Sequence, residues 1–243
     1  MSRHRGESRV TTASPLDPSE PQPKRAHTEV LGAAVGAVAE TGRGYPKGRA
    51  KRAEVIQATI VSIAESGFHG ASLRDIAERA GISHAGLLYH FPTKAHLLRA
   101  VLEHRDAVDG ADIDQDVEQG RSFVEATIRL AERNARRRPM VEAFAVLAAE
   151  ATTLDHPAHT YFRTHYATAI DSATQGFRDL QAAGRLRPEV DPVHEGHQWI
   201  ALMDGLQIQW LQSLANTDGV PFDMAAELRY RLDLMLVTPE RTQ

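Results

Sequence analysis

Apolar residues recur at spacings of three and four through Val55, Ile56, Thr59, Ile60, Ile63 and Ala64, and Gly67 closes the run. That period predicts one amphipathic helix with a glycine stop. Ser72 opens a second helix as N-cap, with Asp75 three residues on and Leu73, Ile76 and Ala77 as its buried stripe. Ala80-Gly81-Ile82 is a tight break, and Ser83 caps a third, short helix through Leu87, Leu88 and Phe91. Pro92 and Thr93 separate it from a fourth, Lys94–Arg105, with Leu97, Leu98, Val101 and Leu102 inward. The pattern beyond is helical again, over about 117–137, 139–154, 157–183, 192–215 and 222–237. Breaks fall at Arg138-Pro139, Asp155-His156-Pro157, Gly184, Asp191-Pro192 and Gly219-Val220-Pro221. Asp191 followed by Pro192 is a strong start signal, because proline at the first helical position gives up no needed amide. No alternating strand pattern of useful length and no internal repeat is visible. The expectation is an all-α chain.

The first 28 residues read differently. Pro15, Pro18, Pro21 and Pro23 stand among Ser, Thr, Arg and Glu, with too few large apolar side chains to offset the entropy of ordering. Val30–Glu40 suggests a short, weak helix, and Thr41-Gly-Arg-Gly-Tyr-Pro46 is a second break, so order is expected to begin near Arg49. The predicted organisation is a disordered extension over 1–42, a three-helix helix-turn-helix domain over 43–105, and a larger helical domain over 106–243. With 243 residues, 42% of them hydrophobic, the chain can bury a sizeable core. It has no cysteine, which excludes disulfides, thiolate metal sites and cysteine nucleophiles and suits a reducing cytoplasm. No apolar run approaches the roughly 20 residues a membrane span needs, and the start lacks the order of a secretory signal. A cytoplasmic location is expected.

The net charge of -4 hides an asymmetry. Residues 1–105 carry 15 Lys and Arg against 10 Asp and Glu, while residues 106–243 carry 13 against 22. Residues 1–42 balance, so the basic excess lies in 43–105. A basic module joined to an acidic one is the footprint expected when only one end meets phosphate.

The segment from Ser72 to Lys94 concentrates the chemistry. It is two short helices around a glycine turn, in which Gly81 supplies the backbone conformation and Ile76, Ala77, Ile82 and Leu87 lock the angle. Ala85 and Gly86 are small enough to let the third helix approach closely, and a major groove about 12 Å wide admits such a helix. The residues Ile76-Ala77, Ala80-Gly81-Ile82-Ser83, His90-Phe91 and Lys94 resemble the N-terminal domain of the TetR family of bacterial repressors, over roughly Arg49–Arg105. The resemblance implies that Ser83, His84, Ala85 and Gly86 face the groove. It implies further that Tyr89, His90 and Lys94 touch phosphates, and that Ser72 and Thr93 contribute hydroxyls or helix-start amides. One departure stands out. Where the family most often has tyrosine before the variable residue and His90, this chain has Leu88, with Tyr89 in the variable place. Packing of Tyr89 on its own helix, and a helix-capping role for His90, are the plainer alternatives. Arg43, Lys47, Arg49, Lys51 and Arg52 form either a solvated basic stretch or an arm on the DNA. His84 is the one long polar side chain at the front of the third helix, so specificity is expected to lean on DNA shape and on Ser72, Arg74 or the arm.

For the acidic half, the resemblance implies a ligand-binding and dimerisation domain and a palindromic operator. His197, Ile200, Ala201, Asp204, Gly205, Ile208 and Leu211 follow a helical spacing suited to close packing, and Leu228, Leu232, Met235 and Leu236 make a second stripe. Helices near 192–215 and 222–237 of two chains would form the homodimer. An inducer would lie among Phe123, Thr127, Leu130, Phe144, Leu147, Ala148, Phe162, Tyr166, Ile170 and Trp199, each of which also reads as plain core. His194 and His197, or His156, His159 and His165 with Asp155 and Glu150, have spacings that could hold zinc. Without cysteine or a fixed carboxylate partner they read as ordinary histidines, and neither metal nor cofactor is expected. No glycine-rich phosphate loop or nucleophile–base–orienter set points to an enzyme. The expected function is a ligand-responsive transcriptional regulator.

Overall fold

The side chains of Ser72, Ser83, Thr93, Ser122, Asp191 and Asp223 each accept a backbone N–H at the start of a helix, so six starts are fixed by local chemistry. Each such cap is worth about 1 kcal/mol. The computed structural model describes residues 46–214 and 222–237; the extension expected over 1–42, the Val30–Glu40 helix and the Gly219-Val220-Pro221 break lie outside the described residues. Those described form α1 (Pro46–Gly70), α2 (Leu73–Arg79), α3 (His84–His90), α4 (Lys94–Glu118), α5 (Phe123–Asn134), α6 (Arg138–Glu150), α7 (His159–Ala182), α8 (Pro192–Ser213) and α9 (Met224–Asp233). The fold is all-α. Among the described residues one antiparallel bridge, Leu186 to Leu236, ties the turn after α7 to the segment after α9.

Gly67 stops the first helix as its pattern predicts: its φ of 70° and ψ of 177° break the helical path, and a short turn follows to Gly70. The carboxylate of Glu150, at the end of α6, accepts the freed Phe68 N–H at 2.9 Å. A Cβ at position 67 would collide with that carboxylate, so the glycine also makes room for the cap.

Helix α4 departs most from expectation. The apolar pattern predicts an end at Arg105, but the helix runs on to Glu118, across the expected domain boundary between 105 and 106, without a break. Among the inward positions of this extension Asp109 and Asp116 are acidic, and Ile113 packs on Ala126 and Leu130 of α5. Asp116 is bridged by Arg133 at 2.6 Å and Arg121 at 3.2 Å, and Asp112 by Arg137 at 2.7 Å. An apolar period is silent where a helix face is held by ion pairs.

Two main cores result. One joins α1–α4 to α6 and the start of α7, through Ile60, Ile63, Ile76, Leu87, Phe91, Leu97, Phe144, Leu147 and Phe162. The other lies among α5–α9, around Phe177, Trp199, Trp210 and Leu228. Within it, α7 and α8 pack along each other, and Gly196 sets their separation. A Cβ there would overlap the Thr174 hydroxyl and sit 2.9 Å from the Thr174 backbone nitrogen. Gly196→Val is therefore expected to lower stability by about 1–3 kcal/mol, the usual range for overpacking, measured by urea denaturation. An unchanged midpoint would mean that the two helices are not held this close.

Candidate nucleic-acid interface and adjoining cavity

The reading surface is α3, held on a buried base. Leu87 and Phe91 are buried, and Ile76 and Ala77 of α2 pack beneath them. Gly81, with φ of 65°, makes the turn between α2 and α3. Its amide donates to the Glu78 carbonyl and the Ile82 amide to that of Ala77. With that face inward, Ser83, His84, Ala85, Leu88 and Tyr89 point outward, and Gly86 and His90 are half-buried. Tyr89 is 85% exposed, its ring edge-on to His90 at 5.4 Å between centroids. Packing of Tyr89 against its own helix is thus confined to one neighbour.

The hydroxyls expected at the DNA also cap helices. Ser72 Oγ accepts from the Arg74 amide at 3.2 Å, Ser83 Oγ from Gly86 at 3.0 Å, and Thr93 Oγ1 from His96 at 3.2 Å. A capping hydroxyl accepts and keeps its proton available to donate. Thr93 additionally meets His96 Nδ1 at 2.7 Å. Arg49, Arg52 and Arg74 are exposed, and the Arg52 guanidinium lies 4.9 Å from the Phe91 ring centre. Lys51 pairs with Glu54. Arg43 and the Lys47 side chain lie outside the described residues.

Lys94 is more occupied than its sequence position suggests. Its ammonium donates to the His69 carbonyl at 3.2 Å and lies 4.6 Å from the centre of the Phe68 ring. Burial lowers its pKa, and the Glu150 charge opposes that shift. The lysine therefore joins the start of α4 to the end of α1, with two of its three donors still free for another acceptor.

On the acidic side, Phe123, Thr127, Leu130 and Tyr166 line a cavity of about 70 Å³ between α4, α5, α7 and α8. Six other residues expected there do not line it: Ala148 packs against the first core and Ile170 is half-buried outside the lining. Phe144, Leu147 and Phe162 pack into the first core, with Phe144 and Phe162 at 5.1 Å between ring centres. Trp199 is buried in the second, donating from Nε1 to Thr127 Oγ1 at 3.0 Å with its ring edge-on to Phe177. Pockets draw on several helices at once, and apolar period alone does not separate a lining side chain from a core one.

The cavity wall holds charged residues that the sequence reading did not assign to it: Arg105, Asp106, Asp109, His165 and Asp204. Arg105 Nε meets Asp109 Oδ2 at 2.8 Å, its Nη1 meets Asp106 Oδ1 at 3.3 Å, and its guanidinium stacks 3.9 Å from the Phe144 ring centre. Tyr161 donates to Asp106 Oδ1 at 2.7 Å. Burial raises the pKa of both aspartates against the pull of Arg105. Burial and the Arg105 charge together bring His165 down to about 3, so it stays neutral at ordinary pH. The signal in the sequence was the Arg105–Asp109 spacing of four, legible only once α4 extends past residue 105.

The histidines noted for zinc have other partners. His156 Nδ1 accepts from the Ala158 amide at 3.2 Å, and His159 Nδ1 lies 2.9 Å from the Ala151 carbonyl. Among the described residues no group of three His, Cys, Asp or Glu converges as a metal site. None of the described helices is long and apolar enough to cross a membrane.

Residues 55–101 match the model for bacterial regulatory proteins of the tetR family. The chain is 43% identical over 67 residues to the HTH-type transcriptional regulator RutR of Escherichia coli K12. That match takes in 28% of this chain and 32% of the regulator, so it spans about a third of the relative's length. A TetR-family transcriptional regulator from Agrobacterium tumefaciens superposes with a TM-score of 0.66 at 22% identity, covering 78% of this chain and all of that one. A structure described as the molecular basis for control of antibiotic production by bacterial hormones superposes at 0.61 with 27% identity, over 76% of this chain and 96% of that one.

Proposed function

We propose that the chain is a ligand-responsive transcriptional repressor of the TetR family, a reading supported by the match of residues 55–101 to that family's model and by the likeness to RutR over 67 residues. It binds a palindromic operator as a homodimer and is released by a small-molecule inducer. The observation that carries this reading is the outward row Ser83, His84, Ala85 and Tyr89 on a helix whose other face is locked by Leu87 and Phe91. A short helix so presented, with Arg49, Arg52 and Arg74 also exposed, suits insertion in a major groove with phosphate contacts on either flank. In this reading Ser72, His90, Thr93 and Lys94 hold the backbone.

The dimer is proposed through α8 and α9. His197, Ala201 and Ile208 are exposed along one side of α8, as are Tyr230 on α9 and Leu234 just past its end. Nothing lies within 4 Å of a Cβ built at Gly205, so this stretch of α8 is open to close approach. A two-fold dimer would set the reading helices about 34–36 Å apart, or a multiple of one DNA turn. The chain divides functionally into the reading head over 43–105 and the ligand and dimer half over 106–243, with α4 passing through both. The inducer acts by stabilising a conformation whose heads no longer match the operator spacing.

Gel retardation with DNA from upstream of the protein's own gene tests the reading. Retardation that falls steeply with salt is expected, and none at low salt would sink the proposal. Lys94→Ala should weaken binding about equally on all sequences and flatten the salt slope by roughly one unit. An identical slope would restrict Lys94 to its contacts with His69 and Phe68.

A further inference from the structure

The cavity between α4, α5, α7 and α8 is unevenly charged. One guanidinium, Arg105, faces three carboxylates, Asp106, Asp109 and Asp204. Arg105 is already held by Asp106, Asp109 and the Phe144 ring, which leaves little of it for an anionic guest. Asp204 is placed differently. It forms no ion pair among the described residues; the Tyr166 hydroxyl hydrogen-bonds to it, and Arg105 acts on it from further off. Burial raises its pKa above the ordinary carboxylate value, the response of an acid that lacks a close counter-charge.

Two further side chains have polar atoms without a hydrogen bond at this site. Gln207, one turn along α8 from Asp204, is nine-tenths buried and lines the same cavity. Its amide makes no hydrogen bond among the described residues. His165 Nε2 meets Arg105 at 3.3 Å, while its buried Nδ1 has no hydrogen bond and lies 3.7 Å from Asp106. His165 and Asp106 also line an open groove of about 480 Å³ between α4 and the first turns of α7, so this pair is the wall between groove and cavity. The cavity, at about 70 Å³, is smaller than the roughly 300–1,000 Å³ of a typical ligand site. It suits a head group, with room for a chain in the groove.

We propose that the cavity is the head-group pocket for a protonated organic amine, with Asp204 as its counter-ion and the Gln207 amide oxygen as a second acceptor. The remainder of the molecule leaves past Asp106 and His165 into the α4–α7 groove. A cation restores to Asp204 the charge partner it lacks, whereas an anion would meet three carboxylates and a guanidinium already engaged. The assignment rests on the reading of residues 106–243 as the ligand-binding half, and it names the class of ligand.

Calorimetric titration of the full chain at pH 7 with n-hexylammonium, hexanoate and 1-hexanol tests it. The ammonium is expected to bind at least tenfold more tightly than either of the others, and Asp204→Asn to weaken it at least tenfold. Absence of ammonium binding, equal affinity for hexanoate or hexanol, or a folded Asp204→Asn that binds as the parent does would overturn the proposal. Should Asp204→Asn fail to fold, Gln207→Leu is judged against a threefold loss. Retardation of upstream DNA by the same preparation, without any amine, keeps the two readings apart. Retardation with no ammonium preference overturns the amine pocket alone, and absence of retardation overturns the regulator.

Discussion

Arg105→Ala is expected to destabilise the protein by about 3–5 kcal/mol at neutral pH, the usual cost of removing one partner from a buried ion pair. The Asp106 and Asp109 side chains are only 11% and 8% exposed, so water cannot replace the lost guanidinium. Asp109 would keep only Arg137, at 3.7 Å. The loss should depend on pH. Both carboxyls already have pKa values above the ordinary 3.8, and removing Arg105 raises them further. A carboxyl whose pKa is higher folded than unfolded binds more protons in the folded state, so it costs stability as pH rises through that interval. The deficit should therefore be fully developed above the raised values and shrink as pH falls toward 4. Urea denaturation of the parent and variant at pH 7 and pH 4.5 measures this, and a deficit that is small or independent of pH would contradict the account. Arg105→Met combined with Asp109→Asn should lose less than the single change, because one orphaned charge is removed as well.

Phe91→Ala is expected to be comparably severe, at about 3–5 kcal/mol for a phenylalanine truncated in a core. Phe91 is 2% exposed, closes α3 through its amide on the Leu87 carbonyl, and carries Arg52 over its ring. Its loss undermines the seat of the reading helix, so DNA binding should disappear together with stability. Tyr89→Ala is the contrasting case. At 85% exposure it should change stability by no more than about 0.5 kcal/mol while weakening DNA binding. Thermal melting beside gel retardation separates the two. If Phe91→Ala melts like the parent, α3 does not depend on that core.

The contrast between these two sites reflects what was legible in the sequence. The reading head is written locally: Ile76, Leu87 and Phe91 announce their burial by period, and Ser72 and Ser83 mark helix starts. Asp191-Pro192 fixed the start of α8 in the same way. The extension of α4 from 106 to 118 was not legible, because Asp109, Asp112 and Asp116 face arginines from α4 itself and from the α5–α6 region rather than an apolar core. The reciprocal cap of Ser122 and Glu125 at the start of α5 is a local signal of the same kind, a serine followed three residues on by a glutamate. The cavity was only half legible. Phe123, Thr127 and Tyr166 reach it, but the charged residues that give it character come together from helices far apart in the chain. Apolar period reports that a side chain points inward and not whether space lies in front of it, which is why Trp199 and Phe144 read as lining residues and prove to be core.

The claim that this chain is a sequence-specific regulator is tested most directly by nuclease footprinting on DNA spanning its own gene and the upstream region. The account predicts one protected palindrome whose half-sites are centred one DNA turn, or a whole number of turns, apart, with protection weakened by Tyr89→Ala. Uniform protection along the fragment, or none at low salt, would contradict it.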